Sequence, residues 1–455
     1  MKNILILDTG KEWGGGTNSL LELLRRIDKK NYKFTALFYH NYSKPNETFM
    51  SFKNTMDNKN NPPSPPFVKG GMGGFSGEFD IKTEIEKLDV NFILMKHSRW
   101  SLSAKILKET GRTLLFFSER LRKLYVFFIE YFFRIEEDAA RIARLLKDLN
   151  IDILYMNNQP STNIEGILAA KTAGIKSLLH SRIETELNFF EVKAVNKWLT
   201  KMICVSGGVR ESFIRQGVDF SKCITVYNGI DAGTTPAIPP HEIRRELGIK
   251  EEEFVIGSAG SLVRRKRFDD LIKALGYLKA QNMTTSPLSS AKSPHPPFVK
   301  GGQGGIFNKI KCVIIGDGPE REALKKLIEK TGLDDTVILA GFKSDAISYI
   351  NAMDIFVLSS EREGFSRVIL EAMLMGKAVV ATNIAGPSEL VVDNETGFLY
   401  KAGDVKGLSE RLSKLASSLA LRKDFGKAGR KRAIENFSIE KYVSRVSSII
   451  AEAAG

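Results

Sequence analysis

Cysteine is scarce in this chain of 455 residues: Cys204, Cys223 and Cys312 are the only three. They are odd in number, far apart and never in a Cys-x-x-Cys spacing. That excludes a disulfide framework and a thiolate zinc site, and it points to a reducing compartment. Long apolar runs are missing as well. Residues 4–7 are an apolar run shorter than the ~7–15 residues of a secretory signal, and no uncharged run reaches the ~18 residues of a spanning helix. A cytoplasmic location is expected. No basic cluster interleaved with aromatics and no zinc-finger spacing occurs, so nucleic acid is not an expected partner.

What is present is ordinary for a folded chain: 43% hydrophobic and 26% charged residues. At about 100–200 residues per domain, the length suggests two or three domains. The net charge is +14, of which residues 1–230 carry +9 and residues 231–455 carry +5. This diffuse basic excess suits an acidic partner, either a phosphorylated substrate or an anionic membrane surface.

Short runs rich in Val, Ile and Phe alternate with helix-length amphipathic stretches. They cover residues 4–7, 34–38, 151–156, 202–205, 254–256, 312–315, 337–340, 355–358 and 378–381. The alternation predicts β-α units and buried parallel sheets. It restarts after the Pro-bearing stretch 231–240, read as a linker. Two doubly wound α/β domains follow, 1–230 and 231–455.

One peptide occurs twice. Pro65-Pro66-Phe67-Val68-Lys69-Gly70-Gly71 returns as Pro296-Pro297-Phe298-Val299-Lys300-Gly301-Gly302. Phosphate loops join a strand to a helix start; each copy instead follows Pro- and Ser-rich sequence where a connection belongs. Insertions over about 58–78 and 284–308 are expected, and inserted surface loops cost little stability. Residues 114–133 are unusually aromatic and predict one helix. It is either buried by its own domain or laid in a membrane interface with Arg120, Arg122 and Lys123 at the headgroups.

Two segments could carry chemistry. After the first strand, Gly14-Gly15-Gly16 leads into a helix, the ligand side of an α/β unit. It lacks the Gly-Lys-Ser/Thr of a P-loop, and Ser19 stands where a dinucleotide fingerprint has its third glycine. A dinucleotide-dependent oxidoreductase has this loop alone in its favour. The second segment is Glu363-Gly364-Phe365-Ser366 running to Glu371-Ala372-Met373, at a strand end and a helix start. Gly364 permits close approach of a ligand. Helix-start N–H groups can hold a diphosphate, and two carboxylates suit sugar and ribose hydroxyls.

The Glu363-x7-Glu371 pattern resembles the hallmark of the family 4 retaining glycosyltransferases. Val226-Tyr227-Asn228-Gly229-Ile230-Asp231, Gly260–Lys266, Gly316-Asp317-Gly318-Pro319, Gly341-Phe342, Ala385-Gly386-Pro387-Ser388-Glu389 and Glu395-Thr396-Gly397 resemble further family segments, in order. The resemblance implies a GT-B fold, in which two Rossmann-like doubly wound domains face a central cleft. The first would bind the acceptor and the second a nucleotide-diphosphate-sugar, with the last helix crossing back to the first. It implies transfer to an acceptor hydroxyl by front-face attack with retention, in cell-envelope polysaccharide, lipopolysaccharide or glycolipid synthesis. The acceptor would be a glycan or lipid-linked.

The same resemblance implies roles. Lys266 would neutralise the leaving diphosphate and Glu363 hold the donor sugar. His180 would stand near the reacting sugar. Glu371 would hold the ribose, with Gly364, Phe365, Ser388 and Glu389 at the phosphates and Gly341 and Phe342 beside the base. Gly15 and Gly16 would close on donor and acceptor. The family's usual Arg after the glycine is Ser261 here, leaving Arg264 and Arg265 as the neighbours able to supply its charge. An alternative reading follows, a weak or inactive nucleotide-sugar binder. No Asp-x-Asp stands in a suitable place, so neither a metal nor a cofactor is expected, and peripheral membrane attachment is the expected form of any membrane contact.

Overall fold

The computed structural model describes residues 1–11, 14–44, 79–284 and 309–455. Both copies of the repeated peptide lie outside them. The strands are β1 (Lys2–Asp8), β2 (Tyr32–Phe38), a short antiparallel pair β3 (Ser43–Lys44) and β4 (Phe79–Asp80), β5 (Asn91–Leu94), β6 (Ile153–Met156), β7 (Lys176–Ser181), β8 (Lys201–Cys204) and β9 (Cys223–Thr225). There follow β10 (Phe254–Ala259), β11 (Ile310–Ile315), β12 (Val337–Gly341), β13 (Ile355–Leu358), β14 (Ala378–Thr382) and β15 (Gly397–Tyr400).

They build two parallel sheets, in the orders β5-β2-β1-β6-β7-β8-β9 and β12-β11-β10-β13-β14-β15. Central strands such as β6, β13 and β14 are buried along their whole length. Helices cover both faces, which is why these strands read as continuous apolar runs without alternation. Both sheets reverse strand order once, between β1 and β6 and between β10 and β13. Ligands of open α/β sheets bind at the strand ends beside such a reversal. The expected two-domain Rossmann-like architecture is the one observed.

The chain crosses between the sheets twice, and the crossings are tied together. Ile230 N–H donates to Phe437 O at 2.8 Å, and Ile439 N–H donates to Ile230 O at 3.0 Å. The helix Ile439–Ala454 then lies on the first domain. Its Tyr442, Val446 and Ile450 share a core with Ile4, Ile6, Leu20 and Leu24, and the Tyr442 hydroxyl donates to Ser19 O at 3.2 Å.

The aromatic stretch is not one helix. A helix ends at Leu114, and a second, Glu119–Glu130, starts at Ser118, whose Oγ accepts the Leu121 N–H at 3.3 Å. The two fold into a hairpin: Tyr125 rests on Gly111, and its hydroxyl donates to Leu107 O at 2.9 Å. The turn leaves Phe116 and Phe117 78% and 68% exposed. Aromatic composition hid the break, because only the cap at Ser118 marks it. Among the described residues no helix is long and apolar enough to cross a membrane.

Candidate active site

The reversal point of the second sheet gathers most of the expected donor-side residues. The segment after β10 forms a short turn, Arg264–Lys266, that brings the Lys266 ammonium onto the Glu363 carboxylate beyond β13. Ser360 Oγ donates to the same Glu363 oxygen at 2.9 Å. Burial alone would push the Glu363 carboxyl upward. The adjacent Lys266 charge, aided by Arg265 and Ser360, outweighs it and holds the Glu363 carboxyl below its ordinary value.

Gly364 passes so close to the first domain that a Cβ there would run into the Arg182 carbonyl. The Phe365 ring turns away from the cleft into a cluster with Tyr227 and Phe437, at 5.2 and 5.4 Å between centroids. It anchors the loop whose backbone faces the cleft. The helix Arg367–Leu374 begins there. Glu371, one turn into that helix, is half-buried, and its partial removal from water raises its pKa against the pull of Arg367, whose Nη2 is 3.8 Å away.

The remaining donor-side residues divide. Arg264 is exposed, and Arg265 donates to Arg362 O at 3.4 Å. Gly341 ends β12 and its carbonyl accepts the Gly316 N–H at 2.7 Å; Phe342 beside it is 43% exposed. Gly316, at φ +135°, lies against Gly260 O, so the ends of β12, β11 and β10 are drawn together by backbone contact that a side chain would block. Ser388 sits in the short helix Pro387–Leu390, its N–H bonded to Ile384 O at 3.0 Å.

Glu389 is engaged elsewhere than expected. Its carboxylate accepts the N–H groups of Gly207 and Gly208, at 2.7 and 2.9 Å, at the start of the first-domain helix Gly207–Arg215. With both oxygens so engaged it acts as an interdomain strut. A carboxylate is the natural stopper for a helix start, and no spacing in the sequence could reveal which helix it meets.

His180 is also placed differently. It is fully buried below the cleft, and burial next to Arg182 drives its pKa well below the ordinary range. The ring is neutral. Arg182 Nη1, which can only donate, lies 3.2 Å from Nε2, so the ring proton sits on Nδ1 and faces the Tyr155 hydroxyl at 2.5 Å. His180 thus supports Arg182 and is not presented to the cleft.

Arg182 was missed by sequence reasoning. A Cβ on Gly16 would stand 3.2 Å from its Cγ, which sets it beneath the glycine loop. Its Nε donates to Asn157 Oδ1 at 2.9 Å and its Nη1 to Asn228 Oδ1 at 3.1 Å. Asn157 Nδ2 donates in turn to Asp8 at 2.6 Å, and Asp8 also accepts the Gly10 N–H and Asn158 Nδ2, both at 3.0 Å. This polar layer spans the reversal point of the first sheet, under the loop. The one sequence signal for it was a charged residue at a strand end. A separate hollow of about 590 Å³, lined by Arg244, Glu253, Phe254 and Arg422, opens where β10 begins, at the wrong end of the strands for chemistry.

Two facing reversal points, a lysine–glutamate pair and a half-buried second glutamate describe a cleft for a charged, hydroxyl-rich ligand. The family described as glycosyl transferases group 1 matches residues 240–432. The second domain belongs to that family. N-acetyl-alpha-D-glucosaminyl L-malate synthase of Bacillus anthracis is 25% identical over 325 residues, 68% of this chain and 77% of its own length. UDP-Gal:alpha-D-GlcNAc-diphosphoundecaprenol alpha-1,3-galactosyltransferase of Escherichia coli is 27% identical over 320 residues, 67% and 76% of the two lengths. The crystal structure of Anabaena Alr3699/HepE in complex with UDP-glucose superposes with a TM-score of 0.69 at 18% identity, over 99% of this chain and 100% of that one. The two chains share one two-domain fold.

Proposed function

We propose that this protein is a retaining, metal-independent glycosyltransferase. It moves a sugar from a nucleotide-diphosphate donor to an acceptor hydroxyl in a cell-envelope polysaccharide, lipopolysaccharide or glycolipid. The observation that carries the reading is the Lys266–Glu363 pair at the foot of the helix Arg367–Leu374, with Glu371 half-buried within that helix. The donor's diphosphate lies at the helix start, where N–H groups and the positive dipole end meet it. Its sugar hydroxyls donate to Glu363 and its ribose hydroxyls to Glu371, which frees the Lys266 ammonium for the phosphate.

As the bond from the anomeric carbon to the diphosphate oxygen breaks, Lys266 balances the charge that builds on the leaving group. The acceptor oxygen bonds to the anomeric carbon from the same face, and its proton passes to a diphosphate oxygen. Retention follows from that geometry. The names of the relatives support both partners: the E. coli enzyme is named for a UDP-sugar and a diphosphoundecaprenol acceptor.

An acceptor of that kind is met at a membrane surface. Phe116 and Phe117, exposed at the hairpin turn beside Arg112, Arg122 and Lys123, suit the interface of an anionic bilayer.

The test is transfer from a panel of nucleotide-sugars to envelope glycans and lipid-linked acceptors. Lys266→Ala and Glu371→Gln are each expected to lower kcat/KM by about 10²-fold or more, with cooperative unfolding retained. Undiminished turnover by both variants would overturn the assignment.

A further inference from the structure

Arg367 opens the helix Arg367–Leu374 at the seam between the domains. A Cβ on Gly15 would stand 3.6 Å from its Cδ, so its stem runs beside the glycine loop of the first domain. On the other side, Nη2 remains 3.8 Å from Glu371 Oε1, beyond hydrogen-bond reach. Nε and Nη1 are shut away from solvent and meet no acceptor among the described residues. The preceding residue repeats the pattern. Ser366 is 3% exposed, does not cap the helix, and its Oγ has no partner among the described residues.

Buried donors left without acceptors cost stability, and a charged one costs most. Among the neighbouring cations Lys266 is committed to Glu363, Arg182 to Asn157 and Asn228, Arg265 to the Arg362 carbonyl and Arg267 to Asp270, while Arg264 is exposed. Arg367 is engaged only through Nη2, in the ion pair with Glu371. Three orphaned polar atoms in two consecutive residues, at the positive end of a helix, ask for an acceptor with several charged oxygens. Phosphate fits that demand, and a guanidinium meets it in a fork.

We infer that Arg367 and Ser366 form a phosphate-binding subsite, with Arg367 supplying the cationic contact that Ser261 does not. The inference rests on the transferase reading and adds a specific residue to it. Two substrates can bring the phosphate. The donor brings its diphosphate from the Glu371 side, and a phosphorylated or diphosphate-linked acceptor brings one from the Gly15 side.

The experiment is titration calorimetry of the full chain with four nucleoside diphosphates and the matching nucleosides, comparing wild type with Arg367→Met, Arg367→Lys and Ser366→Ala, alongside donor and acceptor KM. Met keeps the length of the apolar stem, and Lys keeps the charge without the fork. The expected result is a loss of about 10- to 100-fold in nucleoside diphosphate affinity in Arg367→Met, an unchanged nucleoside affinity, partial rescue by Lys, and a few-fold loss in Ser366→Ala. Unchanged diphosphate affinity with a raised acceptor KM alone assigns the phosphate to the acceptor and still supports the subsite. Unchanged affinity and unchanged KM values in a folded Arg367→Met overturn it. Failure of the wild type to bind any nucleoside diphosphate defeats the transferase reading, and the subsite with it.

Discussion

Glu389 Oε2 accepts the Gly207 N–H at 2.7 Å, so a side chain of the second domain closes the open end of a helix in the first. Two charge-assisted bonds across a hinge resist opening. Glu389→Ala is expected to cost about 1–3 kcal/mol of stability and to widen the molecule in solution. Small-angle scattering and thermal unfolding check both. An unchanged radius of gyration and melting temperature would show that the strut holds nothing.

Glu191 gives a pH test. Its Oε2 accepts the Asn188 N–H at 2.8 Å in a capping box, and burial pushes its carboxyl up to about 7 from an ordinary 4.5. Between those values the unfolded chain has released the proton and the folded chain still holds it. The group's contribution is therefore greatest at acid pH and declines as pH rises from about 4.5 to about 7. Glu191→Gln removes that decline, and the melting temperature of the variant plotted against pH should be flatter over this interval. Parallel curves for the two proteins would refute it.

The hairpin turn is testable without activity. Phe116→Ser with Phe117→Ser is expected to reduce co-sedimentation with anionic vesicles at low salt several-fold while leaving the melting temperature within about a degree, since both rings are solvent-facing. Equal sedimentation of variant and wild type would detach this turn from the membrane.

Central strands were legible because burial on both faces leaves an uninterrupted apolar run: residues 4–7, 34–38, 355–358 and 378–381 all fall within strands. The edge strands β5, β9 and β15 are less legible, since Asn91–Leu94 and Cys223–Thr225 are short and mixed in polarity, and Gly397–Tyr400 opens on a glycine. In the site, Lys266 and Glu363 are close in space because β10 and β13 are neighbours, a strand order that the repeated β-α pattern alone does not specify. The positions of His180 and Glu389 depend on depth and on the partner domain. Neither quantity is carried by local spacing. Arg182 and Arg367 escaped notice for a related reason: what distinguishes them is the company of Gly16 and Gly15, some 170 and 350 positions away in the chain.

The helix Ile439–Ala454 has a consequence for how the chain is made. The groove formed by Ile4, Ile6, Leu20 and Leu24 leaves the ribosome more than 400 residues before the side chains that cover it, Tyr442, Val446 and Ile450. Throughout synthesis the older domain stands with one wall open, and it is finished only when the younger one has been built. Damage to residues 439–454 therefore falls on the domain farthest away in sequence.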